Sequence, residues 1–204
     1  MKRILTAAVV LMTCSAAFSQ APAENTKTFS IGPAIGFGHT GIRSTAGTDV
    51  FKPNWNAGII LNYSHMKHTG LAADILWSME GARVQSNGYE TELSMQYIRV
   101  PLKFAYFFGD FEDNFRPKIT IGPSLGFLLH ASSDSDAPDS PKTDVTGSYN
   151  TFDIGGAASI GFNLKMGENL WLNTDFNYYT SFRPISGSQY NSNFGLRVGV
   201  AFGL

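Results

Sequence analysis

The chain has 204 residues, of which 15% are charged and 13% aromatic, with 21 glycines and a formal net charge of −1. That length makes one domain the default, the glycine and aromatic content leans towards β structure, and the charge balance excludes a nucleic-acid footprint. Apart from the N-terminus there is no run of about 18 apolar residues, so no helix is expected to cross a membrane. A mean hydropathy of −0.06 leaves a membrane barrel open, because alternation dilutes the hydropathy of each strand by half.

The N-terminus reads as a targeting segment. Lys2 and Arg3 form a basic start, residues 4–12 an apolar stretch, and Ala17 and Ser19 occupy positions −3 and −1 of a cleavage before Gln20. The expected organisation is a signal peptide over 1–19 and one domain over 20–204. Without Lys2 and Arg3, two of the 15 basic residues, 13 remain against 16 acidic ones. Cys14 is the sole cysteine. Leu11 lies three residues before it, as in a lipoprotein signal, but Thr13 beside it fits that signal poorly. The expectation is a cysteine discarded with the signal, leaving no disulfide and no thiol chemistry.

From Phe29 onward eight segments alternate with a period of two, the mark of a strand with one apolar face. Residues 29–38 place Phe29, Ile31, Pro33, Ile35 and Phe37 on one face. Residues 55–64 do so with Trp55, Ala57, Ile59, Leu61 and Tyr63, and residues 70–80 with Leu71, Ala73, Ile75, Trp77 and Met79. Residues 91–107 change phase: Leu93, Met95 and Tyr97 are odd, whereas Ile98, Val100, Leu102, Phe104 and Tyr106 are even. A one-residue slip would send every side chain to the other face, so a β-bulge is expected near Tyr97–Ile98, with Pro101, which has no N–H to give a ladder, just beyond.

Residues 118–129 and 151–165 follow, then 170–181, and finally 193–204, NFGLRVGVAFGL, in which every even position from Phe194 to Leu204 is apolar. Such a strand, ending the chain, resembles the closing strand of an outer-membrane barrel, which pairs with the first because lipid does not tolerate an open sheet edge. The outer-membrane signal usually ends in an aromatic residue; Leu204 stands there, with Phe202 two before it.

The connections alternate in length. Residues 39–54, 81–90, 130–150 and 182–189 are long, 65–69 and 166–169 short, and 108–117 intermediate. With the N-terminus on the periplasmic side, the long ones face outward. SIGPAIGF (30–37) and TIGPSLGF (120–127) open the two halves of the chain, in keeping with a doubled four-strand unit.

Alternation also fits a soluble barrel with an apolar lumen, and three observations favour lipid on the outside. Aromatic pairs eight or ten residues apart (Phe29 and Phe37, Trp55 and Tyr63, Phe194 and Phe202, Phe152 and Phe162) span roughly 20–25 Å at ~3.3 Å per residue and ~40° tilt, close to the band between aromatic girdles. The polar faces of the first, fifth and eighth segments are mostly Gly, Ser and Ala, suited to a narrow eight-strand lumen filled by side chains. The other polar faces carry Asp74, Glu80, Glu92, Asp153 and Asp175 against Arg99, Lys103, Lys118 and Arg197, a near-balanced set that predicts salt-bridge packing in place of an open pore.

IGPAIGF, IGPSLGF, YIRVPLKFAYFF (97–108), FDIGGAASIGF (152–162) and the glycine-alternating end together resemble the PorT-like outer-membrane β-barrel proteins of Bacteroidetes-type bacteria, over the whole mature chain. Arg99 stands where that family usually has an acidic residue, so a role of that position is not carried over. The resemblance implies fold and compartment, the cell outer membrane, and does not specify an activity.

Three motifs could carry chemistry. His130 and Ser132 share the spacing of the His-x-Ser pair of lipid A deacylases, where a base must reach the hydroxyl and a third group orient it. With Leu129 outward they are expected inward or in a loop, without catalysis. Asp134, Asp136 and Asp139 lack the glycine and closing glutamate of a calcium loop and read as a solvated acidic loop. His65 and His68 sit in a short turn with no further ligand and read as exposed. The expectation is therefore an all-β, eight-stranded antiparallel up-and-down transmembrane barrel, structural or surface-interacting, with no catalytic, cofactor-binding or metal-binding residues. Its expected partners are outer-membrane lipid and lipopolysaccharide and the outer-membrane assembly machinery, with no nucleic acid, and it acts as a monomer. The alternatives are a small pore or passage for hydrophobic compounds and a lipid A-modifying enzyme.

Overall fold

A sheet with one apolar face and open edges has no stable place in lipid, so eight amphipathic strands must close on themselves. The computed structural model describes residues 29–43, 48–64, 66–86, 88–110 and 112–204, so the expected signal peptide, Cys14 and His65 lie outside the described residues. The strands are β1 (Phe29–Arg43), β2 (Thr48–Val50), β3 (Lys52–Ser64), β4 (Thr69–Ser86), β5 (Tyr89–Phe107), β6 (Phe115–Ser135), β7 (Thr143–Asp144), β8 (Phe152–Lys165), β9 (Leu170–Ser181) and β10 (Tyr190–Gly203). Eight of them form a closed antiparallel ring in the order β1, β3, β4, β5, β6, β8, β9, β10. β10 returns to β1 with partners from Ser30↔Gly203 to Arg43↔Tyr190, as the alternating last stretch implied. The short β2 and β7 flank the ring, on β4 and β6.

Burial settles which way the wall faces. Ile35, Ile121 and Ile160 are 69%, 67% and 63% exposed, whereas Asp74, Glu80, Arg99 and Lys103 are 2%, 1%, 4% and 4% exposed. The apolar faces named from the sequence point outward in every strand except over Leu93, Met95 and Tyr97 of β5, the inverse of a soluble protein.

The start of β1 at Phe29, the chain end at Leu204 and the short links from β3 to β4, β5 to β6 and β8 to β9 lie at one end, which places the opposite end on the outer side of a membrane by the usual asymmetry of such barrels. At that outer end the structure corrects one expectation. Residues 81–90 are not a long loop: β4 runs on to Ser86 and β5 begins at Tyr89, with Gly88 (φ 83°) in the turn. Gly88 supplies the positive φ that a tight hairpin needs, and Ala82 and Val84 continue the alternation towards it. β4, β5 and β6 thus rise past the ring as a tongue.

The phase of β5 is a second correction. Met95, Tyr97, Arg99, Lys103, Ala105 and Phe107 are all buried, so the strand keeps one phase from end to end. The register does shift between Gln96 and Tyr97, but the extra residue is Leu129 on β6: Gln96 faces His130 and Tyr97 faces Leu128. The bulge turns β6 instead of β5. The ladder of β5 is also interrupted around Pro101 on both sides, as its missing N–H requires.

The repeated IGP motifs fall on β1 and β6, four places apart in the ring of eight, hence diametrically opposed. In each the glycine packs against a neighbouring strand so closely that a Cβ would collide with its backbone, Val200 O for Gly32 and Leu102 O for Gly122. The shared motif marks a shared local packing.

Candidate functional site

Side chains that point into an eight-strand ring meet one another, because the lumen is only wide enough to be filled. Arg99 on β5 is at the centre. Its Nε donates to Glu80 Oε1 at 2.8 Å, and its Nη2 donates to Glu80 Oε2 at 2.6 Å and to Asp153 Oδ2 at 2.7 Å. The rings of Tyr97 and Tyr179 lie 4.5 and 4.0 Å from its Cζ, a cation–π clamp on both. Ser181 donates to Asp153 Oδ1 at 2.8 Å, and the Asn191 amide donates to Glu80. Opposite Arg99 in register, Gly126 leaves room that a Cβ would take from the guanidinium.

A second tier lies nearer the periplasmic end. Asp74 Oδ2 is 2.9 Å from Lys103 Nζ and 2.8 Å from Arg197 Nη2, and Asp175 Oδ2 is 3.1 Å from Lys118 Nζ. Lys118 also donates to Asn173 Oδ1 at 3.3 Å, and Arg197 Nη2 to Asn177 Oδ1 at 2.9 Å. The lumen thus pairs Asp74, Glu80, Asp153 and Asp175 with Arg99, Lys103, Lys118 and Arg197. Removing one member of such a pair strands a buried charge, at a cost of about 3–5 kcal/mol. Between the tiers is a cavity of about 60 Å³ bordered by Asn54, Asn56, Ser78, Lys103 and Arg197, room for a few waters at roughly 10–15 Å³ each.

Above Arg99 the chemistry changes. Ile42, Ala82, Met95, Tyr97, Leu128, Ala131 and Ile185 form an apolar cluster, with Val84, Leu93, Val145 and Tyr149 packed on it. Ile185 descends from the 182–189 connection, which is tied down by Asn150 N–H donating to Ile185 O at 2.8 Å and by the Asn150 amide donating to Pro184 O at 3.0 Å.

Glu92 departs from the lumen set. It lies on the tongue, where Lys52 Nζ donates to its Oε1 and Arg83 Nη2 lies 2.6 Å from its Oε2. Partial burial would raise its pKa, but hydrogen bonds from Lys52, Arg83 and Ser94 outweigh that and hold it at about 2.

His130 and Ser132 are also placed differently from the expectation. The Leu129 bulge sets both opposite Gln96 and Ser94 on the outward side, with Ala131 turned into the apolar cluster. His130 Nδ1 is 3.4 Å from Thr146 Oγ1 and 3.7 Å from Asp144 Oδ2, and no hydrogen bond joins it to Ser132, which is buried where β7 pairs alongside β6. Asp144 itself is held below the usual carboxylate range by hydrogen bonds from the Thr146 hydroxyl and N–H.

Asp136 accepts the Glu90 N–H at 2.6 Å and secures the tongue, while Asp134 pairs with Glu92 across the strands and Asp139 takes a φ of 60°. His68 Nδ1 is 3.1 Å from Phe107 O and its ring stacks on Tyr106. Among the described residues no three His, Cys, Asp or Glu side chains converge as metal ligands. Tyr97 enters the sequence reading only as part of an apolar column beside the expected bulge, and Tyr179, Ser181 and Asn191 escape it; the odd-numbered inward parity of β9 reveals Tyr179 and Ser181.

A family model described as "Outer membrane protein beta-barrel domain" matches residues 18–187. No curated protein matches the chain in sequence. The crystal structure of Neisserial surface protein A (NspA) is similar with a TM-score of 0.53 at 14% identity, covering 89% of this chain and 100% of that one. That of the outer membrane protein OprG from Pseudomonas aeruginosa is similar with a TM-score of 0.53 at 12% identity, covering 85% and 94%. At these identities the likeness is one of fold.

Proposed function

The chain belongs to the outer-membrane β-barrel domain family and resides in the cell outer membrane, and we propose that it acts there as a closed structural barrel whose outer surface meets partners, without catalysis. The observation that carries this reading is the lumen: four buried carboxylates paired with four buried cations, capped by the apolar cluster around Ile185. A conducting pore needs hydrated walls and a continuous path, and here the wall groups are spent on one another.

Within the family we assign the chain to the PorT-like proteins of Bacteroidetes-type bacteria on its IGP repeats and YIRVPLKFAYFF stretch, with a signal peptide over 1–19. Its partners on this reading are outer-membrane lipid, lipopolysaccharide and the assembly machinery, and it is a monomer.

Planar-bilayer recording of the purified barrel tests the reading, after a heat-dependent gel shift has verified that the sample is folded. Negligible conductance is expected, and a reproducible large open state would overturn it. The apolar outer cluster gives some support to the rival reading, a passage for hydrophobic compounds; uptake of a hydrophobic dye by liposomes carrying the protein would favour that reading instead. For the lipid A-modifying alternative, Ser132→Ala should leave the host's lipid A profile unchanged, since His130 does not reach that hydroxyl.

A further inference from the structure

We propose that the outer half of the β3–β1–β10 face is a binding site for the phosphorylated glycolipid of the outer leaflet, with an aromatic platform for its acyl chains and arginines for its phosphate. The inference rests on the barrel's placement in the outer membrane and not on the surface-interaction reading.

Outward positions of β1 alternate, so Phe37, His39, Gly41 and Arg43 form one column up the wall. At its foot the rings are contiguous. Phe37 packs on Trp55 with centroids 4.6 Å apart, and His39 lies between Phe51 at 5.0 Å and Phe194 at 5.3 Å. Phe37, Phe51, Trp55 and Phe194 are all exposed on the lipid side, a surface that apolar chains cover readily.

Above them Gly41 leaves a notch, its Cβ position meeting nothing nearer than His39 Nε2 at 3.7 Å. Arg43 comes next, four residues beyond His39 and thus about 13 Å up the strand at ~3.3 Å per residue. That offset suits a phosphate at the headgroup level with its chains against the rings below. Among the described residues the Arg43 guanidinium meets Ser181 O at 3.3 Å from Nη2 and the Tyr190 ring at 5.4 Å, both neutral, and forms no ion pair. Arg183, also exposed, follows Ser181 by two positions.

The charge of the outer rim is sorted to match. Residues 37–43 and 178–195 contain no Asp or Glu. The tongue on the other side carries Glu90, Glu92, Asp134 and Asp136, with Asp144 of β7 beside it, and both its Arg83 and Lys52 at the start of β3 are already paired with its acids. An anionic lipid is therefore drawn to the β1–β10 side and repelled from the tongue. Guanidinium suits phosphate in particular, because its planar fork can donate two parallel hydrogen bonds.

Native mass spectrometry of the folded barrel in micelles doped with bis-phosphorylated lipid A, or with the same lipid enzymatically dephosphorylated, tests the proposal. Native protein should retain the phosphorylated form. R43Q and R183Q should each lower retention by about fivefold, the effect of one cationic side chain at an anionic lipid surface, and R43Q/R183Q should hold the phosphorylated lipid no better than the dephosphorylated one. K142Q, on the tongue side, should leave retention unchanged. R43K keeps the charge but loses the planar fork, so its retention should fall between that of native protein and that of R43Q. Equal retention by R43Q/R183Q and native protein, equal binding of the dephosphorylated lipid, or a loss in R43K as large as in R43Q would each overturn the proposal. The bilayer conductance of the barrel is independent of all these outcomes.

Discussion

The middle of the lumen and the space just above it share strands β4, β5 and β6 and solve opposite problems. At membrane height the inward face of β5 reads Lys103, Arg99; above it, with no change of face, the same column reads Tyr97, Met95, Leu93. The difference is what lies on the other side of the wall. Where lipid surrounds the ring the outward face must be apolar, so polar and charged groups have no place but the lumen, and they must pair there. Where the tongue rises into water, Gln96, Ser94 and Glu92 can face outward, and the inner face is free to be apolar as in a soluble β protein. One strand therefore passes from inside-out to conventional packing at about the level of Tyr97. The step is at the membrane boundary and needs no bulge in β5.

Several substitutions would break or sharpen that contrast. Arg99→Met should have the largest effect, about 3–5 kcal/mol, because Glu80 and Asp153 stay buried without their cation; urea unfolding from lipid vesicles would measure it, and an effect below 1 kcal/mol would mean that the tier is not a coupled unit. Two outward positions on β5 then compare the two environments directly. Leu102→Lys places a charge in lipid and should cost about 2–4 kcal/mol, while Gln96→Lys on the tongue should stay within ~0.5 kcal/mol. Equal costs at the two positions would place the membrane boundary elsewhere.

Ile185→Ala removes the side chain that descends into the outer cluster and should cost about 2 kcal/mol. Its signature is local: faster amide exchange over residues 82–84 and 93–95, with conductance still negligible because the ion-paired tiers beneath are intact. Open-channel events in this variant would instead make the cluster the seal.

The smallest effect concerns acid. Glu92 titrates at about 2 in place of its ordinary 4.5. Its folded-state pKa is depressed, so its contribution is complete above about pH 4.5 and is lost as the pH falls through about 2. The side chain is about one-third exposed, which keeps the contribution modest. NMR of the Lys52 and Arg83 side chains should report the loosening in that window, and Glu92→Gln should abolish the pH dependence there.

Much of the wall was legible in the sequence. Period-two alternation identified eight strands and their outward faces, because a strand between lipid and a crowded lumen has little latitude in what it places on each side. The balance of Asp74, Glu80, Asp153 and Asp175 against Arg99, Lys103, Lys118 and Arg197 foretold lumenal pairing for the same reason. Leu93, Met95 and Tyr97 run against the pattern, since an apolar residue in a barrel strand faces outward only as far up the wall as the lipid reaches. His130 and Ser132 were misplaced because one extra residue, Leu129, inverts the faces that follow it, and alternation carries no mark of which strand bears the bulge.

The sequence by itself thus determined strand number, closure of the last strand on the first, and the sign of each face at membrane height, all consequences of a periodicity enforced by the surrounding lipid. The tertiary structure alone decided which carboxylate meets which cation. Glu80 and Asp153 reach Arg99 from strands 19 and 54 residues away, and Asn191 reaches Glu80 from 111 residues away. Such meetings follow from the register and stagger of a closed ring, which bring distant inward positions to one height and leave no trace in local spacing.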